Sequence, residues 1–266
     1  MSGSAGAVTS SAARIAAIAL HAFKESVRDR ILYALLVFAL LMLGASVVVA
    51  SLSVGGQIKI LKDLGLAACS AVGTVIAIFV GIGLVHKEIE RRSIFFLMAK
   101  PVRRAEVVLG KFAGLALTLL VNVAVMTAAL LGLLRLLLGE WSPELLIAVA
   151  LIFVELLVLT AIALFFSTFS TPTLSAIFTL ALTVIGHLSQ DLRAFAASFG
   201  GVGLRATVET LYHVLPNLAA FDVKAAVVRG ALPPGAQVAG RALYGAAYVT
   251  ALLAGAVLIF RRRDFK

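Results

Sequence analysis

Along the 266-residue chain, long apolar runs alternate with short polar breaks. A helix needs about 20 mostly apolar residues to cross a bilayer core. The runs predict six spans, at residues 31–52, 64–85, 112–134, 145–166, 174–189 and 242–260. Before the first span, Ile15, Ile18, Ala19, Ala22, Phe23 and Val27 recur at helical spacing. Arg14, His21, Lys24, Glu25, Arg28 and Asp29 fall largely on the other face. This predicts an amphipathic helix over 12–30, lying in the membrane interface, with His21 solvated.

The breaks differ in kind. Gly55, Gly56, Lys59, Lys62 and Asp63 predict a short loop between spans 1 and 2. Gly139 to Glu144 predict a tight turn, with Trp141 as an interfacial anchor. The segment 191–240 is the longest outside the spans. Its apolar face of Val208, Leu211, Tyr212 and Leu215, the break at Pro216 and Asn217, and the helical look of Phe221 to Val228 predict a pair of short helices on or in the outer surface. A structureless loop of that length is uncommon.

The break at 86–111 is the most charged. It holds Lys87, Arg91, Arg92, Lys100, Arg103, Arg104 and Lys111 against Glu88, Glu90 and Glu106. Within it Ile94, Phe95, Leu97 and Met98 form an apolar patch, with Ser93 as N-cap and Pro101 as stop. Such a helix suits a membrane surface or a partner's groove.

Composition agrees with a membrane protein. Hydrophobic residues make up 62% and charged residues 14% of the chain, with a mean hydropathy of +1.09. Soluble domains carry about 25% charge. The net charge of +10 sits beside apolar spans, so it speaks for orientation and anionic lipid rather than nucleic acid. With both ends cytoplasmic, fifteen of the 23 Lys and Arg fall inside and eight outside, as the positive-inside rule favours. The single cysteine, Cys69, lies in an apolar run and is read as packing. The N-terminus lacks the shape of a signal peptide.

Few polar groups lie inside the spans. Glu155 falls near the middle of span 4, where a charge costs roughly 2.5–3.5 kcal/mol on insertion scales. It is read either as a protonated hydrogen-bonder at a subunit interface or as lining a path for substrate or protons. Asn122 in span 3 is read as an interhelical hydrogen-bonder, with a place on the path as the alternative. His187 is read as a polar residue near the far end of span 5. Gly110 and Gly114 form a GxxxG at the start of span 3. The chain has no GxxxxGK[ST], no HExxH and no nucleophile elbow, and its four histidines are scattered. Only Glu155 and His187 are left for an intramembrane enzyme, and the chain is read as not an enzyme.

The central break resembles the cytoplasmic coupling segment of bacterial ABC exporter permeases with the type V fold. The residues that carry the resemblance are Glu88, Glu90, Ser93, Ile94 to Ala99, Pro101-Val102, Arg104 and Gly110-Lys111. FKESVRDRILYALLVFALL from Phe23 and LPNLAAFDV from Leu215 to Val223 are similar too. Phe95 stands where an acidic residue is frequent. The nearest likeness is to permeases grouped with multicopper-enzyme maturation.

The resemblance implies an all-α integral membrane protein of six transmembrane helices, with an interfacial helix, a coupling helix between spans 2 and 3 and short outer helices between spans 5 and 6. It implies a permease subunit in the bacterial inner membrane, paired with a second permease copy, surrounded by lipid and driven by a separate ABC ATPase that holds ATP and Mg. The coupling residues would be Glu88, Glu90, Ser93, Phe95, Leu97, Met98, Pro101 and Arg104, assisted by the 167–173 turn. No cofactor is expected in this chain. An ion-coupled carrier would call for internal repeats and broken helices. A non-transporting assembly scaffold would need no stiff cytoplasmic helix.

Overall fold

A computed structural model describes residues 11–53, 55–90, 104–199, 203, 205, 208–210 and 215–262. It is helical, with no strand among the described residues. The helices are α1 (Ser11–Val27), α2 (Arg30–Ser51), α3 (Gln57–Glu90), α4 (Arg104–Leu138), α5 (Leu145–Ser167), α6 (Pro172–Phe199), α7 (Lys224–Val228) and α8 (Gly235–Arg262). A 3-10 turn at Leu218–Phe221 precedes α7. Six of the helices are long and apolar enough to cross a membrane: α2, α3, α4, α5, α6 and α8.

α5 is the hub. Its sequence is apolar all round, which belongs to a helix without a water-facing side. It packs on α3, α4, α6, α7, α8 and the 3-10 turn. Small residues on its neighbours let it approach closely. A Cβ added at Gly73 of α3 would lie 2.5 Å from Leu156, and one at Gly245 of α8 would run into Val154. α2, α6 and α8 are peripheral. Large apolar side chains such as Leu41, Phe38, Ile177, Leu180, Leu243 and Leu258 remain exposed on them.

Several boundaries differ from the sequence reading. No loop occupies Lys59 to Asp63, because α3 starts at Gln57. Lys62 is only 7% exposed there. Its ammonium lies 3.2 Å from Glu144 and 3.8 Å from Glu140, on the turn joining α4 to α5. That pairing lets a lysine stand inside a helix end. The turn itself closes on Gly139, whose φ of +67° is the left-handed conformation that ends α4.

The long outer segment is inset rather than superficial. α6 continues to Phe199 and α8 begins at Gly235, so both are longer than spans 5 and 6 as read. Between them Pro216, Leu218, Phe221, Val223 and Val227 are buried. Gly186 of α6 makes room: an added Cβ would meet Pro216 O and Leu218 Cγ at 2.8 Å. The Asn217 amide donates to Tyr244 Oη at 3.0 Å, and Asn217 Oδ1 accepts from Ala220 N at 3.2 Å. These bonds satisfy backbone that would otherwise be stranded away from water. Of the apolar face read over 208–215, Leu211 and Tyr212 lie outside the described residues.

Candidate functional site

The central charged segment begins and ends on two long stems. α3 and α4 run past the apolar stretches 64–85 and 112–134 at the same end of the bundle, since Gly65 faces Leu130 while Ile76 and Val80 lie with Leu115 and Leu119. Glu88 and Glu90 fall in the last turns of α3, and Arg104 is the first residue of α4. Ser93, Phe95, Leu97, Met98 and Pro101, with the expected helix at Ile94–Ala99, lie outside the described residues.

α1 braces the α4 stem. The two helices run side by side in the same direction: Arg14 meets Glu106, Ile18 meets Gly110, and Ala19 and Ala22 meet Gly114. A Cβ on Gly114 would come within 2.6 Å of Ala19 O and Ala22 Cβ. The GxxxG of the sequence is therefore the groove that receives α1. Glu106 is 4% exposed and is held in a two-pronged pair: Arg14 Nη2 donates to Oε1 at 2.7 Å, and Nε to Oε2 at 3.0 Å. The hydrogen bond to Glu106 raises the already high pKa of the Arg14 guanidinium. Planar pairing of this kind fixes angle as well as contact. The sequence places Arg14 on the polar face of α1; its partner, 92 residues away, has no local sequence signal.

A second feature lies within the bundle. Glu155, 1% exposed, faces His187 of α6, with Oε1 and Nε2 3.0 Å apart. His187 Nδ1 lies 2.9 Å from Thr183 O. A carbonyl only accepts, so Nδ1 carries a hydrogen. The Nε2–Oε1 contact then needs one further proton, on either partner. Imidazolium with carboxylate, or imidazole with carboxylic acid, both leave the pair neutral overall, which is what a low-dielectric interior favours. His187 lies near the end of the span Pro172–Ser189, in a helix that continues to Phe199, and its side chain keeps 35% exposure.

Asn122 is 4% exposed but does not bridge helices. Its Nδ2 donates to Thr118 O of its own helix at 2.9 Å, and its Oδ1 has no partner among the described residues. Lys224 of α7 reaches Ser70 Oγ of α3 at 3.3 Å and Asp222 at 3.7 Å, a polar tether that the sequence reading did not single out. Trp141 is 65% exposed. No group of three or more metal-ligating side chains occurs among the described residues.

Compared with known families, residues 16–265 match the model for the ABC-2 family transporter protein. No curated protein matches the chain.

Proposed function

The chain belongs to the ABC-2 transporter family as a multi-pass permease subunit, and we propose that it forms the membrane path of an ABC exporter and takes its drive through residues 86–111. Membership of this family implies association with an ABC ATPase subunit. In the proposed arrangement two such ATPases, with ATP and Mg, dock from the cytoplasm beneath two permease copies in a bacterial inner membrane. Both termini of the permease are cytoplasmic.

One observation carries the reading: two helical stems flank the charged segment, and one is clamped by α1. Closure of the ATPases would push on 91–103. Stems with buried cross-braces pass such a push to the bundle as rigid movement rather than bending. α5, packed on most other helices, would distribute it. Phe95, Leu97 and Met98 are the proposed anchors in an ATPase groove, since buried aromatic and apolar side chains dominate such contacts. Glu88, Glu90 and Arg104 set the angle, Ser93 caps the helix and Pro101 ends it. Glu155 acts with His187 as one unit, and the exposed edge of His187 is the part that meets the path or the second copy.

The test is the double variant Phe95→Asp, Leu97→Asp in the assembled transporter. The expected result is loss of ATPase recruitment, or recruitment with ATP hydrolysis that no longer drives export, while the six-span fold persists. Normal recruitment together with normal export would end this reading.

A further inference from the structure

The corner between α1 and α2 carries chemistry that coupling does not use. There Glu25, Ser26, Asp29 and Ile31 face Phe79, Val80 and Gly83 of α3 across a small cleft. Ser26 is 2% exposed, and its Oγ has no hydrogen-bond partner among the described residues. A buried hydroxyl left unpaired is costly, so a site that supplies its partner gains from doing so. Glu25 and Asp29, both half-buried, line the same cleft; Asp29 Oδ1 already accepts from Ile31 N at 3.0 Å as the cap of α2, so Glu25 is the carboxylate offered to a ligand. Ionised carboxylates only accept, so what fits must donate N–H bonds and carry positive charge.

The rim says where that charge comes from. Ile31 is 57% and Phe79 56% exposed, and both belong to membrane-spanning helices. The cleft therefore opens where the hydrocarbon begins, not into bulk water. Arg28 and Arg30 are exposed on the same corner, and arginine suits phosphate. A primary ammonium, a phosphate and acyl chains, in that order, match acid, base and apolar rim. We propose that this cleft binds the headgroup of phosphatidylethanolamine. Its ammonium sits between Glu25 and Ser26 Oγ, and its phosphate faces Arg28 and Arg30. Phosphatidylcholine offers no N–H, and phosphatidylglycerol offers no cation.

The full-length protein is reconstituted in nanodiscs of equal phosphatidylethanolamine, phosphatidylcholine and phosphatidylglycerol, and lipid retained on release is measured by native mass spectrometry. The expected result is about tenfold enrichment of phosphatidylethanolamine, the scale of a charge-assisted hydrogen bond. Glu25→Gln should abolish it. Ser26→Ala, which removes only the hydroxyl, should reduce it. Glu209→Gln, away from the corner, should leave it unchanged. Equal retention of the three lipids, or enrichment that survives Glu25→Gln, would overturn the proposal. Displacement of the bound lipid by millimolar ethanolamine would also overturn it, because the cleft would then take a soluble ammonium. So would loss of ATPase recruitment in Glu25→Gln with lipid enrichment intact, which would assign the cleft to a basic side chain of the partner.

Discussion

At the scale of single residues, the Glu155–His187 contact sets the clearest energetic expectation. Removing one member of a buried ionisable pair strands the other, whereas removing both strands neither. His187→Phe should destabilise the bundle by about 1–3 kcal/mol, with the cost of a stranded polar group setting the scale. The double variant Glu155→Leu, His187→Phe should cost clearly less than the two single changes summed. Thermal unfolding of the four proteins in one detergent closes the cycle; additive costs would mean that the two side chains do not interact. That Glu155 needs a buried partner or a wet path was legible in the sequence, because a carboxylate amid uncharged residues cannot stand alone. Its identity was not, because matching depth alone does not say which faces of the two helices meet. Glu155 lies twelve residues before the end of α5, and His187 fifteen after the start of α6. Across a short turn those depths coincide, and the fold shows in addition that the two side chains face each other.

Lys62 and Glu144 give a pH expectation at the same scale. Desolvation pushes the Glu144 carboxyl up, but its backbone hydrogen bond and the Lys62 ammonium outweigh this and hold it below the usual carboxylate range. A carboxyl lowered in the folded state contributes stability that is fully present above its unfolded pKa. That stability is lost as pH falls through the folded value. Unfolding temperature should therefore drop as pH is taken from 6 to below about 4, the ordinary carboxylate range. Glu144→Gln should flatten part of that slope, and an unchanged slope would deny the pair a role. The sequence put both residues at the membrane edge. The pairing was hidden because the lysine was assigned to a loop, although Gln57 to Asp63 continue the helical spacing of the run after them.

At the scale of elements, the seam between α1 and α4 is the joint on which the coupling stem depends. Glu106, Gly110 and Gly114 recur every four residues along α4, as Arg14, Ile18 and Ala22 do along α1. One stripe offers an acid and two hollows; the other offers a base and two fillers. Both stripes were legible, but the apolar face of α1 was assigned to the membrane interface because sequence alone names no partner. Gly114→Val would drive a side chain into Ala19 O and Ala22 and should cost about 1–3 kcal/mol through overpacking. Hydrogen exchange should then speed up across α1 while α5 stays protected. Uniform protection in both helices would show that α1 is not held by this groove. The 3-10 turn docks in the same manner on Gly186, and the sequence had marked Leu215 to Val223 as distinctive without placing it inside the bundle.

At the scale of the whole molecule, the architecture follows from one asymmetry among the helices. α5 is apolar on every side and is largely covered by its neighbours, while α2, α6 and α8 keep large apolar side chains uncovered. A hub without a lipid face and a rim without a water face need a bilayer, or a second copy, to cover the rim. Six crossings return the chain to the side it started from, and fifteen of its 23 basic residues would lie on that side, which the positive-inside rule assigns to the cytoplasm. Both ends, the α1 brace and the segment 91–103 should therefore share the cytoplasm, with Gly56 and Gly235 on the other side. The only cysteine in the chain, Cys69, is fully buried in α3, so single introduced cysteines can be read against a silent background. In intact cells an impermeant maleimide should label Gly56→Cys and Gly235→Cys, and should reach Ser93→Cys only after the membrane is opened. Labelling of Ser93→Cys in intact cells would invert or break the six-span order, and the ATPase-facing role of the central segment would fall with it.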